Sequence, residues 1–215
     1  MVKTHRDTIS VNDCQVLAHY QFEADQYIIT LESKEIADST RPGQFVHLSV
    51  SGMLAMRRPI SVMSVDADNG TFDLLYKIVG EGTKQLADRK IGDVLSVIGP
   101  IGNGFELTDR KIPLLIGGGV GMPPMIAIAQ KIKDNAYYNP YVILGSEVPF
   151  PFEASQSSLN GFNSSKFYTM PLLEEWRVPC SLASLQDYEG VYKGYVTDLA
   201  REYLDSLSSS DLKEV

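Results

Sequence analysis

The feature that most constrains this 215-residue chain is the run IPLLIGGGVGMPPM, from Ile112 to Met125. A short apolar stretch runs into Gly117, Gly118 and Gly119, then, after Val120, into Gly121; Met122, Pro123 and Pro124 follow. A short apolar run bounded by glycine reads as a buried strand. Glycine reaches positive φ and lets backbone amides approach a neighbour directly. Proline fits the first turn of a helix, where its missing N–H has no intrahelical acceptor anyway. The segment therefore reads as strand, tight turn and helix, with unpaired N–H groups and the positive dipole end at the turn. That arrangement suits a phosphate or a flat ring pressed on the backbone, but a tight turn that binds nothing has the same sequence. The run is also no strict G-x-G-x-x-G: counted from Gly117 the sixth position is Met122, and from Gly119 it is Pro124. The rest of the chain has to decide.

On either side of Lys111 the pattern differs. Upstream, CQVLAHYQFEADQYIITLES, GQFVHLSV, RRPISVMSV, TFDLLYKIVG and GDVLSVIGPIG are rich in β-branched and aromatic residues. Pro42-Gly43, Asn69-Gly70 and Gly92-Asp93 punctuate them as turns. Only GTKQLADRK, with Thr83 near its start, reads as a short helix. Six short strands and one helix predict an antiparallel barrel over residues 1–109. Downstream, PPMIAIAQKIKDNA is amphipathic, YVILGS and VPCSLAS read as buried strands, and GYVTDLAREYLDSL reads as a helix with its cap at Thr197-Asp198. Strands alternating with helices predict a parallel sheet over residues 110–215. PFPFEASQSSLNGFNSSK reads as a loop. The closing DLKEV reads as the approach to another strand, so the second unit is expected to be incomplete at its C-terminus.

Charge and composition exclude some functions. The formal net charge is −8, and Arg57-Arg58 is the only Arg-Arg pair, so no basic footprint for nucleic acid is present. Cys14 and Cys180 form no CxxC pair; free buried thiols are the preferred reading, and a disulfide between them is the alternative that stays open. No stretch reaches 18 apolar residues, which excludes a membrane-spanning helix. MVKTHRDTIS lacks the apolar region of a secretory signal, and a cytoplasmic location is expected.

The barrel carries chemistry of its own. Arg58 can neutralise a pyrophosphate, or be a surface charge. Gly82 and Thr83 can offer amide and hydroxyl donors at a helix start, or merely make a turn. Ser61 can donate to a ring heteroatom, or be an ordinary strand hydroxyl. Together with the glycine-rich strand–helix junction, these elements favour a nucleotide-binding reading.

RRPISV, GEGTKQL and GGGVGMPPM give the chain a resemblance to the ferredoxin reductase superfamily. That resemblance runs from about Val11 to Val215, and PGQFVHL, RRPISV, LLYKIVGEGT, GPIGNGF and YKGYVTDL sharpen it toward one branch: they resemble the electron-transfer subunits of NAD-linked, two-subunit dihydroorotate dehydrogenases. The resemblance implies an FAD-binding barrel before a nicotinamide-binding βα domain. It implies hydride transfer from NADH to FAD, with electrons passed to a catalytic dihydroorotate dehydrogenase subunit in pyrimidine biosynthesis. It places Arg58, Pro59, Ile60 and Ser61 along the FAD, Leu75, Tyr76 and Lys77 beside the flavin ring and ribityl chain, and Gly82 and Thr83 at the pyrophosphate. Gly117, Gly118, Gly119 and Gly121 would face the nicotinamide nucleotide. Glu147, after YVILGS, favours NAD over NADP. The resemblance also implies a 2Fe-2S cluster held by four closely spaced cysteines near the C-terminus, and this sequence has only two cysteines. Two other readings stay open: a stand-alone NAD(P)H flavin reductase, and a nucleotide-binding module without catalysis.

Overall fold

The computed structural model describes residues 9–50, 56–159 and 167–215. The chain divides into two compact units, Met1–Phe105 and Glu106–Val215, a division slightly earlier than the expected Asp109.

In the first unit, six strands close into an antiparallel barrel in the order β1-β2-β5-β4-β3-β6. These are β1 (Ser10–Phe22), β2 (Gln26–Glu32), β3 (Phe45–Leu48), β4 (Arg58–Asp66), β5 (Thr71–Lys77) and β6 (Val94–Ile101). Strand side chains alternate between faces, and one set fills the interior: Val46 and Leu48, Ile60 and Val62, Phe72, Leu74 and Tyr76, Leu95 and Val97. The first segment, CQVLAHYQFEADQYIITLES, holds two of the six strands, β1 and β2. It reverses at Glu23–Asp25, where Ala24 and Asp25 take φ of 57° and 56°. No glycine or proline marks this turn; the Gln26 side-chain amide secures it by donating to the Glu23 carbonyl at 3.0 Å. The Asn69-Gly70 hairpin between β4 and β5 forms as its sequence predicts. Gly70 takes φ of 68°, and the Asp66 carboxylate accepts from the Asn69 backbone at 3.0 Å and its side chain at 2.7 Å.

Two short helices accompany the barrel. Helix α1 (Lys34–Ser39) has no counterpart in the sequence reading, because six residues are too few to show a helical period. The Ser33 hydroxyl caps it by accepting from the Ile36 N–H at 3.3 Å. Helix α2 (Glu81–Ala87) is the expected helix near Thr83.

The second unit opens with β7 (Leu114–Gly118), a 3-10 turn at Gly119–Gly121 and α3 (Met122–Ile132). Then follow β8 (Tyr141–Ser146), β9 (Ser155–Gln156), β10 (Tyr168–Thr169), α4 (Pro171–Glu175), β11 (Cys180–Ser184), β12 (Tyr192–Lys193) and α5 (Val196–Ser206). Four strands make a parallel sheet in the order β12-β11-β8-β7, and β9 pairs with β10 apart from it. All six residues of β8 are buried, as the continuous apolar run YVILGS requires of a strand covered on both faces. Tyr141 and Ile143 pack with Leu199, Ala200 and Tyr203 of α5, and the Tyr141 and Tyr203 rings stack at 4.2 Å.

Three expectations need correction here. Helix α5 takes Tyr195 as its N-cap, so Thr197 and Asp198 lie inside the first turn. The loop after β8 contains β9, and its 160–166 stretch lies outside the described residues. DLKEV does not run into a strand: Asp211–Lys213 make a 3-10 turn. The Glu214 carbonyl there accepts from the Ile112 N–H at 2.8 Å, and its carboxylate accepts from the Lys111 N–H at 3.3 Å.

Candidate functional site

The two adjacent arginines of the barrel do different work. Arg57 is a staple: its guanidinium donates to the Ser96 carbonyl at 2.7 Å, the Ser96 hydroxyl at 3.0 Å and the His47 carbonyl at 3.4 Å. Arg58 bonds only nearby carbonyls among the described residues, Met56 at 2.8 Å and Arg57 at 3.4 Å, both through Nη1. Its Nε and Nη2 lie against Gly82. A Cβ built on Gly82 would stand 1.7 Å from Nε and 2.6 Å from Nη2. Any side chain at position 82 would therefore displace the guanidinium. The sequence separates Arg58 from Gly82, and the barrel brings them into contact.

Thr83 has another role. Its hydroxyl accepts from the Val79 N–H at 2.9 Å and the Gly80 N–H at 3.3 Å, and donates to the Gly80 carbonyl at 3.1 Å. Gly80, lacking a side chain, cannot return such a bond. The hydroxyl is thus spent on shaping the turn, and what the first turn of α2 offers outward is amide N–H groups, which have no acceptor earlier in the helix.

Strand alternation sorts the remaining barrel residues. Ile60 and Tyr76 belong to the barrel core, so their side chains are committed inward and only their backbones remain for a ligand. Pro59 and Ser61 fall on the opposite side of β4, Pro59 exposed and Ser61 half-buried. Leu75 and Lys77 alternate with Tyr76 and lie outside that core cluster. The Tyr76 hydroxyl is bonded to His19 Nε2 at 2.7 Å, and its ring stacks on Tyr27 at 5.3 Å. Burial, then the neighbouring Tyr27 and Asp88, pushes the Tyr76 phenol far above the usual tyrosine range. It is a neutral structural group.

A residue the sequence reading passed over is Gln44, which is buried. Its side chain accepts from the Arg41 N–H at 2.7 Å and donates to the Gly102 carbonyl at 2.8 Å. It fixes the GPIGNGF loop against the PGQF turn. The only sequence signal is an amide between two glycine-rich loops.

In the second unit, the four glycines of the junction prove unequal. A Cβ on Gly117 would meet the Gly121 carbonyl at 2.9 Å and the Met122 Cα at 3.0 Å; this glycine lets α3 pack on the end of β7. Gly119 takes φ of 52°, which strains any other residue. Gly118 and Gly121 face room instead. The nearest atom to a Gly118 Cβ is the Gly145 carbonyl at 3.7 Å, and around Gly121 nothing lies within 4 Å. Gly121 has φ of −90°, open to every L residue. Neither packing nor backbone conformation requires glycine at 121, which leaves space for a ligand lying flat on the backbone. Prolines 123 and 124 occupy the first turn of α3, as expected.

No group of three or more His, Cys, Asp or Glu is placed to hold a metal ion among the described residues. Cys14 and Cys180 are free and buried, in separate units, and burial above all pushes each thiol up to about 12. These residues do not fit a 2Fe-2S cluster.

The comparisons with known proteins agree with this geometry. Residues 13–105 match the family model described as an oxidoreductase FAD-binding domain. Over 94% of its length the chain superposes on an NADH-dependent reduced ferredoxin-NADP oxidoreductase, with a TM-score of 0.71 and 24% identity, covering 64% of that chain. It likewise superposes over 91% of its length on the ferredoxin reductase of carbazole 1,9a-dioxygenase, with a TM-score of 0.68 and 19% identity, covering 57% of that chain. The barrel and the parallel βα unit therefore define an oxidoreductase of ferredoxin reductase-like fold with an FAD-binding domain. Against "Dihydroorotate dehydrogenase B (NAD(+)), electron transfer subunit" of Bacillus cereus (strain 03BB102) the chain is 31% identical over 195 residues, 78% of this chain and 73% of the relative. Against its namesake in Enterococcus faecalis the identity is 37% over 123 residues, 55% of this chain and 47% of the relative. This chain belongs to the family of dihydroorotate dehydrogenase B electron transfer subunits. It spans about half the length of the first of the curated relatives it matches, 47% and 43%.

Proposed function

We propose that this chain binds FAD, accepts a hydride from NADH and passes the electrons to a catalytic dihydroorotate dehydrogenase subunit in pyrimidine biosynthesis. The observation that carries the first step is the seat of the Arg58 guanidinium on Gly82. It sets a permanent cation beside the unpaired amides of α2, which is a fit for the pyrophosphate of FAD. Bound FAD would supply the chemistry that converts a two-electron hydride into single electrons. The protein's part is to hold and orient. Arg58 neutralises phosphate charge; the Ser61 hydroxyl, with no partner among the described residues, donates toward the flavin ring; Pro59, Leu75 and Lys77 line the same side of the barrel. Gly118 and Gly121 leave room for the nicotinamide nucleotide at the carboxyl end of β7. Glu147 is exposed just beyond β8, where an acidic side chain accepts from a ribose diol and repels a 2′-phosphate.

The two buried cysteines favour one second reading: a flavin reductase that hands electrons to an acceptor without an iron–sulfur relay of its own. An anaerobic absorbance spectrum of the purified protein, taken before and after NADH, tests both. Flavin bands that bleach with NADH, and reoxidise on adding the dihydroorotate dehydrogenase catalytic subunit with orotate, support the electron-transfer role. Bleaching without that transfer supports the reductase. No flavin, and none taken up from added FAD, refutes both.

A further inference from the structure

The side of the barrel that carries Pro59 and Ser61 continues onto a third strand. Strands β3 and β4 pair antiparallel, in a register that sets Phe45 directly opposite Ser61 and His47 opposite Pro59. Val46 and Leu48 fill the barrel interior. Phe45 and His47 alternate with them and therefore stand on the outer face. Opposed residues on one face of an antiparallel pair have Cβ atoms about 5 Å apart, which puts the Phe45 side chain beside the Ser61 hydroxyl.

The Phe45 ring is held on two flanks. The His47 ring lies 5.4 Å from it, tilted by 51°. On the other flank is Gly102: a Cβ built there would stand 3.2 Å from Phe45 Cε1 and 3.4 Å from Cδ1. Gly102 takes φ of 92°, a conformation that favours glycine, so the ring lies against bare backbone. The Gly102 carbonyl accepts from the buried Gln44 side chain at 2.8 Å. The residue that precedes Phe45 thus pins the loop on which the Phe45 ring rests. Yet Phe45 is only half-buried and lies outside the barrel core cluster. An aromatic side chain fixed before any ligand arrives lowers the entropy cost of binding. Its partly open ring, next to an outward hydroxyl, suits contact with the edge of a second flat ring system.

We propose that Phe45 is a further flavin-lining residue: its ring walls the flavin site on the β3 side of Ser61, and Gln44 and Gly102 hold the ring there. The proposal rests on the FAD-binding reading above and extends that site from β4 and β5 onto β3. The wall keeps water from the place that the Ser61 hydroxyl serves, and a hydrogen bond is stronger where water is excluded.

The test reads the environment of the bound flavin. The full chain, stripped of flavin, is titrated with FAD; the absorption of the bound flavin and the quenching of its fluorescence by iodide are then recorded. Phe45→Ala weakens FAD roughly tenfold, moves the long-wavelength flavin band toward its position in water and raises iodide quenching. Phe45→Leu keeps apolar bulk for the fold, confirmed by circular dichroism of the FAD-free protein, and moves the band in the same direction. Phe45→Tyr keeps the ring and restores wild-type values. Gln44→Met keeps the side-chain length, loses both hydrogen bonds and raises iodide quenching with the ring still present. Wild-type band position and quenching in both Phe45→Ala and Phe45→Leu overturn the wall, while FAD uptake by the wild-type chain leaves the FAD-binding reading intact. Wild-type quenching in Gln44→Met overturns the support assigned to Gln44. A wild-type chain that takes up no FAD overturns the FAD-binding reading, and this proposal with it.

Discussion

Replacing Gly82 with alanine separates ligand binding from stability. The added Cβ would stand 1.7 Å from Arg58 Nε and 2.5 Å from its Cζ. Ordinary contact begins at 3.4 Å, so the guanidinium must retreat by about the difference of 3.4 and 1.7, or 1.7 Å. Arg58 is long and flexible at that end, so the retreat costs the fold little, and alanine is favoured over glycine in helices by up to ~1 kcal/mol. Thermal unfolding of the FAD-free Gly82→Ala protein is therefore unchanged or slightly raised. FAD binding moves the other way. A hydrogen bond to a charged group contributes roughly 1.5–3 kcal/mol, which converts to an FAD affinity about 10- to 150-fold weaker. Titrating the FAD-free protein with FAD and following flavin fluorescence measures this. The cross-check is non-additivity: Arg58→Ala weakens FAD by a similar factor, and adding Gly82→Ala to it changes nothing further. Wild-type FAD affinity in Gly82→Ala, or losses that add in the double variant, would refute the placement of Arg58 on the phosphates.

Three further outcomes follow from the geometry. Gly121→Leu leaves FAD affinity and thermal stability unchanged, since the site is open and its φ ordinary, yet slows flavin reduction by NADH at least tenfold; stopped-flow absorbance reads it. Partial burial pushes the Glu174 carboxylate up, but hydrogen bonds from Ser158 and Ser157 outweigh it and hold the group below the usual range. A depressed carboxylate contributes stability above its unfolded pKa and loses it as pH falls through the folded value. Amide exchange at Ser158, whose N–H donates to Glu174 at 2.8 Å, therefore loses protection in acid, and Glu174→Ala removes that protection at neutral pH. Cys14 and Cys180, with thiols near 12, react with a disulfide reagent at pH 8 only as the protein unfolds; two thiols titrated rapidly in the native state would contradict their burial.

Much of the fold was legible in local sequence. Period-two alternation and turn residues such as Asn69-Gly70 announce the barrel, and YVILGS announces a strand covered on both faces. What escaped was short or unmarked. The Glu23–Asp25 reversal carries no glycine or proline, and β12 has two residues. The site was legible as a set of residue types and not as a set of roles. Ile60, Ser61 and Tyr76 stand in motifs that read as ligand-facing, yet alternation turns Ile60 and Tyr76 into the barrel.

The sequence by itself determined the order of the two units, the kinds of element in each, and the places where a backbone could lie bare, because periodicity, turn chemistry and glycine's freedom act over a few residues. The tertiary structure alone decided which of two neighbouring arginines staples other strands and which bonds only carbonyls next to it in the chain and rests on Gly82. It alone showed that Gly117 serves packing while Gly121 leaves space, and that Phe45 stands opposite Ser61 on the outer face of the barrel. Those distinctions depend on neighbours far away in the chain, and only barrel closure and sheet register bring such neighbours within contact distance.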